Sequence, residues 1–348
     1  MVRAFDWHDG ERLIRFGRGV AAEAVEALGG PAFLLLTTSR AGAVLPAAGE
    51  AAAAVHHVGP GGVPELAAEA LEWAHSIELP AVATAAHSWA RPHGARVVAL
   101  GGGRVIDVAK AVAAGLGGGA RAMAIPTTLS GAEMTRVHRH AAGVDESTPR
   151  VRCAVVVCDP ALAASQPDDE LAASALNALA HAVEAPCTVN ANPVATLAAH
   201  EAAGLLVRAF GNDEPPDRDA LALGALLAGY ALDSTGYGLH HVMAQTLVRH
   251  GLAGHGQANA LLLPHTIGAL ARRCPDEASA LEAARGEDAA AAAARLRALT
   301  GATRLRDLGM DSGALDACVE EALARPQLDA TPPRASCEEL RGIYAAAH

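Results

Sequence analysis

Aromatic residues are scarce: four Phe, three Trp and three Tyr, or 3% of 348 residues. A core with so few rings must rely on close packing of aliphatic and small side chains. Runs of Lys or Arg are missing too, and the formal net charge is -11, which argues against nucleic acid and anionic membrane surfaces as partners. The longest uncharged apolar run, Ala220 to Leu232, falls short of the roughly 18–20 residues that a membrane span needs. The six cysteines (153, 158, 187, 274, 318 and 337) form no CxxC and show no regular spacing, so they read as buried or free thiols of a reducing compartment. The opening MVRAFDWHDGERLIRFG is charged throughout and has no apolar segment. It is not read as a signal peptide, and a cytoplasmic location is expected.

What is present describes a soluble globular chain, 51% hydrophobic and 19% charged. Short β-like runs at 31–40, 52–59, 96–103, 121–128 and 153–160 alternate with helical segments such as PELAAEALEWAHS and DVAKAVAAGLG. Alternation of this kind predicts a parallel sheet covered on both faces. From Leu162 onward the segments are long, rich in Ala and Leu, and helical in period, with a polar, Pro-containing break at 211–218. The tract at 286–299 reads as an exposed helix of high propensity with acids at its start. The prediction is an α/β domain over 1–160 followed by an all-helical domain over 161–348.

Two constellations carry chemistry. ALGGGRVIDVAKAVA follows a strand and opens a helix. Gly101, Gly102 and Gly103 let backbone N–H groups approach a phosphate, with Asp107 and Lys110 in the first turns. Thr127, Thr128 and Ser130 mark a second polar strand end, and Thr37 and Thr38 a third. Ligands of open α/β sheets sit beyond such ends. The common GxGxxG pattern is not present. In the helical half, Asn177 and His181 in NALAHAVEA lie four residues apart and share one helix face. His241 and Gln245 repeat that spacing in GLHHVMAQTL, and His255 follows a Gly-containing turn. Three histidines in otherwise apolar segments suit either a metal or a pocket of hydrogen-bond donors and general acids.

GGGRVIDVAK, PTTLSGAEMT, NALAHAVEA, GLHHVMAQTL and HGQANALLLPH resemble, in order and spacing, the motifs of iron-containing (group III) alcohol dehydrogenases. NALAHAVEA, GLHH and AEMT are most similar to the maleylacetate reductase branch. The resemblance implies a Rossmann-like nucleotide-binding domain and an all-α domain, the dehydroquinate synthase-like fold. It also implies a homodimer using NADH or NADPH on a small-molecule substrate of aromatic catabolism, in a cleft between the domains. Gly101–Gly103 would cradle the cofactor diphosphate, and Thr127 and Thr128 would line its nicotinamide side. The metal positions of the dehydrogenases match Asn177, His181, His241 and His255. The Asp of that set is Asn here, as in the branch thought to work without metal, and a neutral amide is a poor ligand for Zn²⁺ or Fe²⁺. No tightly bound metal is therefore expected. If one is held, its ligands would be His181, His241 and His255.

The chain departs from the pattern at Arg104, usually Ser. It departs again at Val242, where the reductases have Lys, and at Gln245, commonly His. Arg136, His138, Arg139 and His140 are the nearest sequence source of positive charge for a dianionic substrate. The expected activity is reduction of maleylacetate to 3-oxoadipate or a related conversion, with His181, His241, His255 and Asn177 handling the substrate. The competing readings are a metal-dependent alcohol dehydrogenase and, because of Arg104, a non-redox descendant of the fold.

Overall fold

The computed structural model describes residues 2–79, 94–210, 215–285, 288–301, 304–308 and 311–348. They form two compact units, Met1–Gln166 and Pro167–His348.

The first unit holds seven strands: β1 (Phe5–Asp9), β2 (Arg12–Phe16), β3 (Leu34–Thr37), β4 (Ala54–His57), β5 (Arg96–Gly101), β6 (Arg121–Pro126) and β7 (Val155–Cys158). Short helices α1 (Ala24–Ala27), α2 (Ser39–Val44) and α3 (Pro46–Ala51) precede α4 (Val63–His75) and α5 (Gly103–Leu116). The strand order is β1-β2-β7-β6-β5-β3-β4, with only the β1–β2 pair antiparallel. β3, β5 and β7 are buried along their whole length, as expected for strands covered on both faces. Leu35, Val98, Leu100, Ile125, Val155 and Val157 share one core with Phe33 and Leu28. Each such side chain contributes about 1.5–3 kcal/mol on burial. The β1–β2 hairpin was not among the predicted strands. Its Asp9–Gly10 turn between alternating segments is the hairpin signal that the charged opening conceals.

The topology fixes where a ligand can sit. From β3 the chain moves outward to β4, then crosses back to β5 and runs the other way through β6 to β7. The carboxyl ends of β3 and β5 are therefore a topological switch point, where open sheets leave a crevice. Thr37 ends β3 and Gly101 ends β5.

The second unit is helical: α6 (Asp168–Glu184), α7 (Pro193–Arg208), α8 (Arg218–Thr235), α9 (Leu239–Arg249), α10 (His255–Arg273), α11 (Pro275–Arg285), α12 (Ala289–Ala298), α13 (Ser312–Ala324) and α14 (Cys337–Ala347). Its core is built from small residues. Ala175, Ala178, Ala182, Ala199, Ala202, Ala228 and Ala231 are all fully buried, so helices approach closely without aromatic fillers. The polar break at 211–218 separates α7 from α8, with 211–214 outside the described residues.

Two expectations are corrected here. The 286–299 tract is not an exposed helix. Ala289, Ala292, Ala293 and Leu296 form a buried stripe at i, i+3, i+4 and i+7, packed against α10 and α6; its residues 286–287 are not described. The cysteines are not all free thiols: Cys187 and Cys274 form a disulfide, tying the turn after α6 to the end of α10. Residues 87 apart in sequence meet only because two helices end side by side, which spacing cannot reveal. Cys153, Cys158, Cys318 and Cys337 are free. No helix among the described residues is long and apolar enough to cross a membrane.

Candidate functional site

In the first unit, the predicted glycines form the start of α5 at the switch point. Gly102 is the N-cap and has no side chain to bond the first-turn N–H groups. The loop is held tightly against the β6 strand end. A Cβ on Gly102 would stand 3.0 Å from Thr128 Cγ2, and one on Gly103 would stand 2.8 Å from Ser130 Cβ. A side chain at either position would force the β6 strand end to shift, so glycine lets the loop lie close against it. A helix start of this kind at a switch point fits a dinucleotide diphosphate.

The polar residues around the loop differ in what their side chains already do. Thr37 is buried and its hydroxyl donates to Leu100 O (2.8 Å), stitching β3 to β5. Thr38 caps α2 by accepting from Ala41 N (3.2 Å). Thr127 is buried, and its backbone N–H donates to Gly101 O (3.0 Å). Ser130 Oγ accepts from Ala132 N (3.3 Å). Arg104 is exposed, so it does not invade the packed side of the glycine loop.

Lys110, read as a phosphate ligand, is fully buried instead. Its ammonium donates to Ala132 O (2.9 Å), Thr135 O (3.1 Å) and Val137 O (2.9 Å), and it pairs with Asp107 (2.8 Å). It pins the 132–137 segment that follows the Thr127–Ser130 strand end. Asp107 is drawn into the same support, half-buried on the second turn of α5. Nearby, burial raises the Glu133 carboxyl from 4.5 to about 7, against the pull of Lys110 and Arg12.

The cationic reading of TRVHRH does not hold for its histidines. His138 Nδ1 donates to Arg139 O (3.1 Å), and its Nε2 accepts from Val151 N (3.1 Å). That wiring suits the neutral ring, and burial lowers its pKa to about 4. His140 is buried as well, while Arg136 and Arg139 are exposed.

In the second unit, α6 and α9 bring the other constellation together. Asn177 and His181 lie one turn apart on α6, both buried. His241, on the first turn of α9, stacks on His181 with ring centroids 4.6 Å apart and planes inclined by 23°. Burial and the neighbouring His241 hold His181 well below the ordinary imidazole value. Burial and the charge of His255 lower His241 to about 3. Both rings are therefore neutral, which is what permits the stack. His255 is exposed at the start of α10, and its charge acts on both rings.

Glu184 is the residue that sequence reading missed, although it lies inside the NALAHAVEA motif itself. It is fully buried at the end of α6. Oε1 accepts from His240 N (2.7 Å), and Oε2 accepts from His241 Nδ1 (2.7 Å). Burial pushes its carboxyl up, while His240 and the N–H groups of Gly238, His240 and His241 pull it down. Gly238, the N-cap of α9, cannot supply a cap of its own, because a Cβ there would stand 2.6 Å from Thr331. The cap comes instead from Glu184, together with Thr331 Oγ1, which accepts from Leu239 N (3.0 Å).

His240 is the other half of the GLHH pair, and it is structural. Asn259 Nδ2 donates to His255 O (2.8 Å), so Asn259 Oδ1 faces His240 Nε2 (3.0 Å), which carries the hydrogen. Thr266 Oγ1 lies 2.7 Å from the other nitrogen.

The two positions that depart from the reductase pattern meet one side chain. Arg325, buried, donates to Gln245 Oε1 (2.6 Å), Tyr237 OH (3.3 Å) and Val242 O (3.4 Å). Tyr237 stands 6.0 Å from the His241 ring, centroid to centroid, and Gln245 is one turn along α9.

A metal of the kind the resemblance implies would need several of these donors to converge. His241 is oriented as a ligand would be, with Nδ1 on a carboxylate and Nε2 unbonded. The rest of the set does not follow. His181 stacks on it face to face, His255 is exposed, and Asn177 brings no charge. Among the described residues, no group of three or more His, Cys, Asp or Glu is arranged to hold a metal ion. These residues do not fit a bound metal.

Comparison with known proteins agrees with the geometry at the level of family. Iron-containing alcohol dehydrogenase matches residues 13–160, and the C-terminal part of the Fe-containing alcohol dehydrogenase family matches 171–348. A maleylacetate reductase from a Rhizobium species is 34% identical over 239 residues, covering 66% of this chain and 68% of that protein. One from Pseudomonas knackmussii is 35% identical over 224 residues, 62% of this chain and 63% of its own length. The crystal structure of maleylacetate reductase from Agrobacterium tumefaciens superposes with a TM-score of 0.79 at 29% identity, covering 100% of this chain and 98% of the other. An iron-containing alcohol dehydrogenase from Corynebacterium glutamicum gives 0.80 at 27%, covering 100% and 97%. The chain belongs to the iron-containing alcohol dehydrogenase family, on its maleylacetate reductase branch, and is an NAD(P)-dependent oxidoreductase.

Proposed function

We propose that this protein reduces a carbon–carbon double bond in an unsaturated oxo acid of the maleylacetate type, giving a 3-oxoadipate-like product, without a tightly bound metal. The observation that carries the substrate class is Arg325. A buried guanidinium is costly unless an anion or strong acceptors compensate it. Here its hydrogen bonds go to neutral acceptors, the side chains of Gln245 and Tyr237 and the Val242 carbonyl, while Glu321 acts on it through charge alone. A substrate carboxylate completes that environment. The identities of the most similar curated relatives support the same class.

Gly101–Gly103 and the start of α5 hold the dinucleotide diphosphate, supported from behind by Lys110. NADH or NADPH, when bound, supplies the hydride. Asn177, His181 and His241 hold the substrate oxygen on which negative charge develops. An anionic substrate raises the pKa of a neighbouring imidazole. His241 Nε2 then takes up a proton with the substrate and returns it to the enolate. The homodimer follows from the family resemblance.

Arg325 gives the test. Removing a charge-assisted contact costs about 1.5–3 kcal/mol, so Arg325→Met should raise KM for maleylacetate by about 10- to 100-fold. Reduction of an uncharged enone should change little, and Arg325→Lys should recover part of the loss. Equal effects on charged and uncharged substrates would contradict the assignment.

A further inference from the structure

We propose that Glu184 is a positioning residue that locks His241 in the tautomer carrying hydrogen on Nδ1, and so presents Nε2 as an unprotonated acceptor. The two carboxylate oxygens have separate tasks. Oε1 is committed to the α9 cap through His240 N, and Oε2 faces His241 Nδ1, both at 2.7 Å. A carboxylate can only accept, so the hydrogen of the neutral ring must sit on Nδ1. The remaining nitrogen, Nε2, is buried and has no hydrogen-bond partner among the described residues. The ring cannot turn away. It is stacked on His181 at 4.6 Å and edged by His240 at 4.9 Å, and its own backbone belongs to the helix turn that Glu184 caps.

One group thus sets both the helix start and the ring state. A shift of the α9 start would disturb the His241 bond, because one carboxylate makes both contacts. Because Gly238 has no room for a side chain, no local residue can take over the cap and release Glu184. The catalytic part of this inference rests on the reading that His241 handles the substrate; the tautomer part does not.

Glu184→Gln separates the two tasks. If its oxygen keeps the His240 N–H bond, its amide N–H₂ must face His241 Nδ1, which then has to accept. The hydrogen moves to Nε2. Nitrogen NMR on histidine-labelled protein should show the protonated nitrogen of His241 switching from Nδ1 to Nε2. Wrong-tautomer substitutions of this type cost up to about 10⁴-fold in kcat, so a fall of about 10²- to 10⁴-fold is expected, with the NAD(P)H dissociation constant unchanged. Thr331→Val removes the other cap acceptor of the same turn; it should lower the melting temperature but leave kcat and the tautomer as they were. An unchanged kcat in Glu184→Gln would overturn the proposal. So would a wild-type His241 found with hydrogen on Nε2, a measurement that holds even if the variant does not fold. A wild type that reduces no unsaturated oxo acid would instead sink the reductase reading, while the tautomer result would still decide the role of Glu184.

Discussion

Lowering the pH from 7 to 5 is expected to destabilise this protein by about 4 kcal/mol. The cause is a set of histidines folded in the neutral state. His138 is lowered to about 4, and His240 and His241 to about 3, all by burial first. A group whose folded pKa lies below its unfolded value binds more protons when unfolded, so stability is lost as the pH falls below the ordinary value of about 6.5. Each of the three contributes about 2 kcal/mol over this interval. His181, held low as well, acts in the same direction. Glu133 opposes them, as does Glu184, whose carboxyl burial also raises. The Glu133 carboxyl is raised to about 7, so its protonation favours the fold as the pH falls, returning about 2 kcal/mol. The net loss compares with a total stability of about 5–15 kcal/mol for a typical domain. Urea midpoints measured at pH 7, 6 and 5 should fall progressively. A flat profile would mean that these rings carry charge in the folded protein.

Replacing Lys110 by Met should cost about 3–5 kcal/mol, the range for removing one partner of a buried ion pair. It would leave the buried Thr135 carbonyl, the partly buried bonds to the Ala132 and Val137 carbonyls and the Asp107 carboxylate without their donor. At about 2–4 °C per kcal/mol, the melting temperature should drop by about 6–20 °C. NAD(P)H binding should weaken as well, because the 132–137 segment that Lys110 holds continues directly from the strand end packed on Gly102 and Gly103. A loss below about 1 kcal/mol would show that the carbonyls find other partners.

Lys110 also shows how far sequence reading reaches. It is the only lysine in the chain, against 26 arginines. This site holds a compact ammonium that can direct donors to three converging carbonyls, where a planar guanidinium would present a fork. Its position in the first turns of α5 suggested a phosphate ligand, but its side chain lies on the buried side of that helix. The fold itself was legible. Apolar runs flanked by Gly, Pro and Thr marked all five strands from β3 to β7, and helical periodicity marked α6 to α8. The β1–β2 hairpin was masked by its charges, and the Cys187–Cys274 bond depends on a meeting of helix ends far apart in sequence.

Of the site, the motif residues Asn177, His181 and His241 were visible as helix-face spacing. The i, i+3 step from His181 to Glu184 was equally available, yet a glutamate at a helix end is normally solvated. What sets Glu184 apart is the absence of any capping side chain at Gly238, a fact of tertiary packing. His255 illustrates the opposite limit. Its motif is intact, but the start of α10 leaves it exposed, so motif order alone overstates the set of converging donors. Arg325 stands outside every motif, and only the fold brings it to Val242 and Gln245.

The central claim is a reductase whose histidine group works without a bound metal. The most direct measurement is turnover of maleylacetate with NADH and with NADPH, before and after exhaustive chelation, on protein of known metal content. Undiminished turnover after chelation is the predicted result. Activity that disappears with the metal and returns on adding Fe²⁺ or Zn²⁺ would contradict it.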